Sequence, residues 1–342
     1  MRVTIEQRTV CLRRPLATAY GPPLRARELF ELVIEGADGT RGRGEAAPLE
    51  PYDGVSPQRA RAALEAYRTL LETADELDAG ELLDACRAAD DLPQALAAVD
   101  LALWDRAGRR AGMPVAALLA DAALERVEVN ATIGAEDRAG AAADAAAARA
   151  AGYRCVKLKV GVGYDAGRVA AVRAALGPDV QLRLDANGAW TVDEAVRAIA
   201  ALAPVGLELV EEPVHGLAGL RAVRERVEVR IAMDETAAEP GALASGAADA
   251  VCLKLGRCGG ISGLLASATL VRAAGAEPYV ASTFDGPLGI AAALHAAAAL
   301  RLAPACGLAT LELFEDAAER PFTARDGAIA VPRGPGLMGS GG

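Results

Sequence analysis

Charged side chains end five consecutive apolar segments between residues 153 and 255. In chain order, these residues and their polar neighbours are Lys157, Lys159, Asp185, Asn187, Glu211, Glu212, Asp234, Glu235 and Lys254. From Lys159 onward, successive segment ends lie 20 to 26 residues apart, about the length of one strand and one helix. Because the carboxyl ends of neighbouring parallel strands meet at one edge of a barrel, we expect these side chains to gather at one mouth.

The carboxylates of Asp185, Glu211 and Asp234 predict a metal site. A single Asp at a strand end, such as Asp185, would alone be read as a helix N-cap, but three clustered carboxylates repel one another unless a cation neutralises them. The sequence places no His or Cys next to them, and a set of oxygen ligands favours Mg²⁺, with Mn²⁺ as the alternative. We expect Asn187, Glu212 and Glu235 to support the three ligands.

The lysines predict acid–base chemistry at the same mouth. Lys157 and Lys159 are two residues apart on a strand, so both ammonium groups should point inward. Lys159 is the expected general base, and Lys254 should stand on the opposite wall. This arrangement suits removal of a proton from the carbon next to a carboxylate, with the cation and the lysines stabilising the enediolate.

Alternating strands and helices from residue 126 onward indicate the scaffold that holds these residues. Apolar runs are expected to form strands near residues 127–133, 153–160, 180–185, 206–210, 230–233, 249–255, 277–281 and 306–313. Seven or eight such units over about 185 residues favour a closed α/β barrel of parallel strands. Residues 1–124 differ in texture and predict a separate α+β domain, with strands at Val3–Leu12 and Leu29–Glu35 and a helix over residues 94–111. The barrel should occupy residues 125–318, and residues 319–342 should form a C-terminal segment that returns to the first domain, with a short strand at Thr323–Pro332 and a flexible, Gly-rich tail.

Composition limits the kind of partner. The chain has 342 residues, a formal net charge of −10 and 52% hydrophobic residues, and no apolar run approaches the length of a membrane span. The acidic balance argues against nucleic acid and anionic membranes and leaves a small molecule or a cation. Six scattered cysteines, without a secretory leader, indicate a reduced, cytoplasmic protein.

These motifs resemble the enolase superfamily, in its muconate lactonizing subgroup. The similarity rests on Lys157-Leu158-Lys159, Asp185-Ala186-Asn187, Glu211-Glu212-Pro213, Asp234-Glu235 and the segment 254–261, and it extends to Gly44-Glu45-Ala46-Ala47-Pro48. The resemblance implies a modified (β/α)₇β barrel of the TIM type, capped by the N-terminal α+β domain. It also implies a Mg²⁺-dependent enzyme, acting on a small carboxylate substrate and assembled as a homo-oligomer.

Within the subgroup, the loops most resemble o-succinylbenzoate synthases, which carry out a syn-dehydration in menaquinone biosynthesis. By that resemblance, substrate contacts are expected at Arg27, Asn130, Ser282, Thr283 and Asp285. N-acylamino-acid racemase, dipeptide epimerase and muconate cycloisomerase remain alternatives, because all share the enediolate chemistry. The Asp-x-Asp motif that dipeptide epimerases carry near the eighth strand is missing from residues 311–316.

Two alternatives belong to other classes of protein. One is a metal-binding barrel that has lost catalysis, which the retention of both lysines and all three carboxylates disfavours. The other is a phosphate-binding barrel using the loop 256–263, where Arg257 is the basic residue that could bind the phosphate.

Overall fold

The N-terminal domain is a three-stranded antiparallel sheet covered by helices. The computed structural model describes residues 1–18, 21–73, 78–134, 137–161, 163–316 and 320–339. The sheet has the order β1-β2-β3, with β1 at Arg2–Thr18, β2 at Gly21–Glu35 and β3 at Arg41–Ala46. The helices are α1 (Glu50–Asp53), α2 (Pro57–Thr73), α3 (Ala79–Ala89), α4 (Pro93–Ala111) and α5 (Val115–Leu119). The third strand, which was not among the strands expected from the sequence, carries the Gly-Glu-Ala part of the motif at 44–48.

Alternating apolar residues on β2 form the core of this domain. Phe30, Leu32 and Ile34 are fully buried and pack in one cluster with Leu64 and Tyr67 of α2. Helix α4 lies directly on β3 because that strand has glycine where it is crossed. A Cβ at position 44 would lie 1.9 Å from the carbonyl oxygen of Ala98.

A seven-stranded parallel sheet forms the second domain, in the order β11-β10-β9-β8-β7-β6-β5. After the short strand β4 (Arg126–Glu128), its strands are β5 (Ala131–Ile133), β6 (Cys155–Lys159), β7 (Gln181–Asp185), β8 (Leu209–Glu211), β9 (Arg230–Met233), β10 (Ala250–Leu253) and β11 (Glu277–Val280). The helices are α6 (Arg138–Ala150), α7 (Asp165–Leu176), α8 (Val192–Leu202), α9 (Leu217–Arg224), α10 (Ile261–Ala273) and α11 (Pro287–Ala299). This curled sheet with its N-terminal cap confirms the predicted fold class.

The barrel closes through a two-residue seam at Cys306 and Gly307, so the eighth strand predicted at 306–313 is wrong in extent. Cys306 bridges Val129 and Gly307 bridges Ala281. Beyond Gly307 the chain leaves the ladder: Leu308 is buried in the core, and residues 311–313 form a 3₁₀ turn. The segment after Gly307 therefore turns at the mouth of the barrel and does not continue as an eighth strand.

The C-terminal segment contacts both domains. Strand β12 (Ala328–Ala330) pairs antiparallel with β4. Further on, the backbone N–H of Leu337 donates to Asp105 Oδ1 on α4 at 2.7 Å, and the N–H of Gly336 donates to the carbonyl of Met113 at 3.0 Å. The domain limits at 124 and 318 stay a prediction. Among the described residues, no helix combines the length and apolar character needed to cross a bilayer.

Candidate active site

Asp185, Glu211 and Asp234 lie side by side at the mouth of the barrel. Asp185 ends β7 and is in register with Glu211 at the end of β8, while Asp234 directly follows β9. All three are buried, with exposed fractions of 1%, 0% and 3%. The spacing of one strand and one helix between them therefore does bring the carboxylates together.

Lys157 bridges two of these carboxylates. Its Nζ lies 3.0 Å from Asp185 Oδ2 and 3.1 Å from Glu211 Oε1. Burial lowers the pKa of Lys157, but the carboxylates of Asp185 and Glu211 outweigh it and raise that pKa above its ordinary value. Lys157 is consequently a fixed positive charge.

Lys159 occupies the same side of β6, as its spacing from Lys157 predicts. Its Nζ donates to Asp185 Oδ2 and to Asn187 Oδ1, both at 2.6 Å. Asn187 has a φ of 45°, and its amide donates to Glu235 Oε1 at 2.8 Å. Asn187 thus orients the lysine expected to be the base. Burial opposes ionisation of Asp185, but Lys157 and Lys159 hold its pKa below the ordinary value.

Lys254 directly follows β10 and pairs with the third carboxylate. Its Nζ lies 3.0 Å from Asp234 Oδ2 and 5.7 Å from the ring centroid of Tyr52. Burial lowers the pKa of Lys254, whereas Asp234 raises it to a net value well above the ordinary one. The lysine is therefore held as an ammonium group.

Glu212 fixes the turn that carries Asp234. It has a φ of 40°, and its carboxylate accepts the backbone N–H of Asp234 at 2.8 Å and that of Thr236 at 3.0 Å. The Thr236 hydroxyl also donates to it, and His215 Nδ1 lies 3.1 Å away. Burial raises the pKa of Glu212 to about 7, against the lowering effect of these hydrogen bonds. Of the two glutamates expected to support the ligands, Glu212 accepts the backbone N–H of Asp234 and Glu235 accepts the Asn187 amide, and their supporting role stays a prediction.

Three residues at this mouth were missed by the sequence analysis. Tyr52 of α1 donates its hydroxyl to Asp234 Oδ1 at 2.9 Å, and Tyr279 of β11 donates to Glu211 Oε2 at 2.8 Å. Cys252 Sγ lies within 4.8 Å of carboxylate oxygens of Glu211 and Asp234, so the expectation that no cysteine is nearby is wrong. Period-two alternation offered a signal, because Cys252 stands two residues before Lys254 and shares its inward side.

Glu211 and Asp234 offer carboxylate oxygens within 4.8 Å of one another, and Asp185 lies next to Glu211 but outside that group of atoms. The three carboxylates fit Mg²⁺ in ligand type, because hard divalent cations prefer carboxylate oxygen, and they are the residues that would hold the ion. Burial raises the pKa of the Cys252 thiol well above its ordinary value, so the group stays a neutral thiol and a weak ligand.

A cavity of about 190 Å³ opens beside the two lysines Lys159 and Lys254. Its wall holds the expected contacts Asn130, Ser282 and Thr283. The other lining residues are Leu16, Leu49, Tyr52, Thr132, Gly134, Lys157, Asp234, Ala281, Phe284, Gly307, Ala309, Thr310 and Leu313. Residues from both domains therefore enclose it.

Arg27 and Asp285, also expected to contact substrate, are not among the described residues of that wall. Arg27 is 3% exposed and donates to the carbonyls of Pro48, Ala47 and Phe284 at 2.6, 2.9 and 3.3 Å. Asp285 is also 3% exposed and accepts the Thr283 hydroxyl at 2.8 Å. Both bind protein groups, because a buried charge needs partners; the loop between β11 and α11 supplies the Thr283 hydroxyl to Asp285 and the Phe284 carbonyl to Arg27.

Glu45 joins the two domains at the same loop. Its Oε1 accepts the backbone N–H of Gly286, the residue before α11, at 2.7 Å. A Cβ at Gly286 would lie 2.4 Å from Glu45 Oε2, so only glycine allows this approach. Burial, then the charge of Asp285, raise the pKa of Glu45 to about 8.

Comparisons with known proteins match both domains. The profile described as "Enolase C-terminal domain-like" matches residues 140–338, and that of "Mandelate racemase / muconate lactonizing enzyme, N-terminal domain" matches residues 1–120. L-Ala-D/L-Glu epimerase of Bacillus subtilis is 31% identical, over 98% of this chain and 95% of the epimerase. o-Succinylbenzoate synthase of Mycobacterium tuberculosis is 44% identical over 221 residues, which span 61% of this chain and 65% of the synthase. The structure of dipeptide epimerase from Enterococcus faecalis V583, complexed with Mg and the dipeptide L-Leu-L-Tyr, has a TM-score of 0.90 at 29% identity and covers 98% of both chains.

Proposed function

This chain belongs to the mandelate racemase/muconate lactonizing enzyme family of the enolase superfamily, and we propose that within this family it is an o-succinylbenzoate synthase. The reaction is the dehydration of a hydroxycyclohexadiene carboxylate that carries a succinyl group, a step of menaquinone biosynthesis. It begins with removal of the proton next to the ring carboxylate, which is the chemistry expected of Lys159.

The charge of the cavity wall supports this substrate. Three lysines line the cavity, whereas of the carboxylates that pair with them, Asp185, Glu211 and Asp234, Asp234 is the one among the described residues of its wall. The rest of that wall is apolar or bears hydroxyl and amide groups such as those of Asn130 and Ser282. Such a wall suits a ring with a second carboxylate, whereas the ammonium group of a dipeptide would need a carboxylate partner.

The three carboxylates would hold Mg²⁺, which supplies positive charge beside the substrate carboxylate and stabilises the enediolate. Lys159, as the neutral amine, takes the α-proton and forms an ammonium group. It then returns that proton to the departing hydroxyl, so that water leaves, the ring becomes aromatic and the amine is restored. Lys254 keeps its proton throughout and stabilises negative charge from the other wall.

Dipeptide epimerase is the second candidate, because the Bacillus subtilis epimerase is similar over nearly the whole chain, whereas the synthase match spans 61% of it. An epimerase needs two groups, one to remove the proton and one to return it from the opposite face. Lys159 and Lys254 both line the cavity and could serve as that pair.

A substrate panel tests the proposal. Purified protein with Mg²⁺ is assayed on the hydroxycyclohexadiene carboxylate, on N-acylamino acids, on L,L-dipeptides and on muconate. We expect the first to be dehydrated with the highest kcat/KM. Absence of its turnover, with epimerisation of dipeptides, would reject the synthase in favour of the second candidate.

The matched variants Lys159→Ala and Lys254→Ala separate one-base from two-base chemistry. For a synthase, Lys254→Ala should retain some dehydration and some exchange of the α-proton with deuterated solvent, while Lys159→Ala should lose both. For an epimerase, each variant should lose net turnover, and Lys254→Ala should still exchange the proton of one stereoisomer.

A further inference from the structure

Tyr279 reaches a proposed metal ligand from inside the barrel. It lies on β11, is 2% exposed, and donates its hydroxyl to Glu211 Oε2 at 2.8 Å. The other oxygen of Glu211, Oε1, accepts Lys157 Nζ. Each oxygen of this carboxylate therefore has its own donor, and the two together fix the rotation of the group.

The direction of the Tyr279 hydrogen bond follows from the two groups that it joins. A phenol carries its proton at neutral pH and can donate it, because its ordinary pKa is about 10. A carboxylate can only accept, so the tyrosine must be the donor.

A buried arginine holds the ring in place. The guanidinium carbon of Arg183 lies 5.1 Å from the centroid of the Tyr279 ring, and Arg183 is fully buried. Two hydrogen bonds to Glu208, at 2.7 and 2.8 Å, and one to the carbonyl of Ala305, at 2.7 Å, fix the guanidinium. A cation over an aromatic face is attracted to it and draws electron density from the ring, which makes the hydroxyl a stronger donor.

We infer that Tyr279 is a positioning residue for the metal site, which orients Glu211 through its hydroxyl and is itself held by Arg183. The inference rests on the proposed function, since it takes Glu211 as a ligand of Mg²⁺. Donors behind a ligand carboxylate tune metal affinity, and their loss commonly weakens binding roughly 10- to 100-fold. Tyr279 thus does not touch the substrate and acts through Glu211.

Replacing Tyr279 by Phe removes this donor and keeps the ring. The matched control is Tyr67→Phe, which removes the hydroxyl of another buried tyrosine, one that donates to the carbonyl of Asp90 in the N-terminal domain. Mg²⁺ binding to the substrate-free protein is measured by titration calorimetry. We expect the Kd for Mg²⁺ to rise roughly 10- to 100-fold in Tyr279→Phe and to stay at the wild-type value in Tyr67→Phe.

Turnover gives a second readout that a merely structural role would not produce. In Tyr279→Phe the Mg²⁺ concentration for half-maximal rate should rise by the same factor, with kcat at saturating Mg²⁺ close to wild type. If this variant does not fold, Tyr279→Met, which also lacks the hydroxyl and fills the site with a flexible apolar chain, is measured instead.

The possible results distinguish a failure of the role of Tyr279 from a failure of the proposed function. A wild-type protein that binds Mg²⁺ and a folded variant whose Kd is within twofold of it would overturn the role of Tyr279 alone. A wild-type protein that binds no Mg²⁺ would overturn both.

Discussion

Replacing Glu45 by Gln is expected to change how the stability of the fold depends on pH. Glu45 is a buried carboxyl at the junction of the two domains, and burial together with Asp285 raises its pKa from 4.5 to about 8. Glutamine cannot ionise, yet its side-chain oxygen can still accept the N–H of Gly286. The variant thus removes the titration and keeps the contact.

The size of the effect follows from proton linkage. Between pH 4.5 and 8 the folded state holds a proton on Glu45 that the unfolded chain releases, so the free energy of unfolding falls as pH rises. The slope is about 1.4 kcal/mol per pH unit, and over about 3.5 units the loss amounts to roughly 5 kcal/mol. The stability that depends on this proton is fully present below pH 4.5 and is lost above pH 8.

Urea unfolding of wild type and Glu45→Gln at pH 5, 6.5 and 8 measures this difference. The advantage of the variant should grow with each step in pH. Glu6→Gln is the matched control, because Glu6 is exposed on β1 of the same domain. Asp285 and Glu31 face Glu45, as do the N–H groups of Gly286 and Gly289, and all of them remain in the variant. Parallel stability curves for wild type and Glu45→Gln would refute the reasoning.

Three further outcomes are expected. Lys159→Met should slow exchange of the substrate α-proton into deuterated solvent by about 10²- to 10⁴-fold while Mg²⁺ still binds, as followed by NMR and calorimetry. Removal of divalent cations with EDTA should abolish that exchange and added Mg²⁺ should restore it; exchange that persists without metal would contradict the proposed site. Burial lowers the pKa of His295 from 6.5 to about 4, so the free energy of unfolding should fall by about 3 kcal/mol as pH falls through that window. Urea unfolding at pH 6.5 and pH 4.5 should show a smaller fall for His295→Gln than for wild type.

Local pattern was enough to predict the fold class and to place the lysines and carboxylates. Each charged residue follows a short apolar run, and the position of a residue at the end of a parallel strand determines which mouth it reaches. The seam at Cys306 and Gly307 was not predictable in extent, because an apolar run reads alike whether it continues a ladder or turns away into the core.

Contacts between domains were beyond the pattern. Arg27 and Asp285 were expected to contact substrate. No local sequence pattern shows that Arg27 instead donates to backbone carbonyls, or that Asp285 accepts the Thr283 hydroxyl. Tyr52 and Tyr279 were missed for a related reason: an isolated tyrosine in an apolar segment is indistinguishable from ordinary core until the carboxylate it meets is known.

The seam joins the two edges of the seven-stranded sheet, on the side of the barrel away from most of the charged residues. The ends of strands β6 to β10 carry the residues proposed for proton transfer and metal binding, whereas Gly307 of the seam and its neighbours Asn130 and Ser282 form part of the cavity wall. Four backbone hydrogen bonds hold the seam together, joining residues 306 and 307 to residues 128, 130, 280 and 282. Substitutions there alter few ladder bonds and no charged group of the mouth. A substitution at the seam can accordingly reshape this side of the cavity while the lysines and carboxylates at the ends of β6 to β10 keep their places.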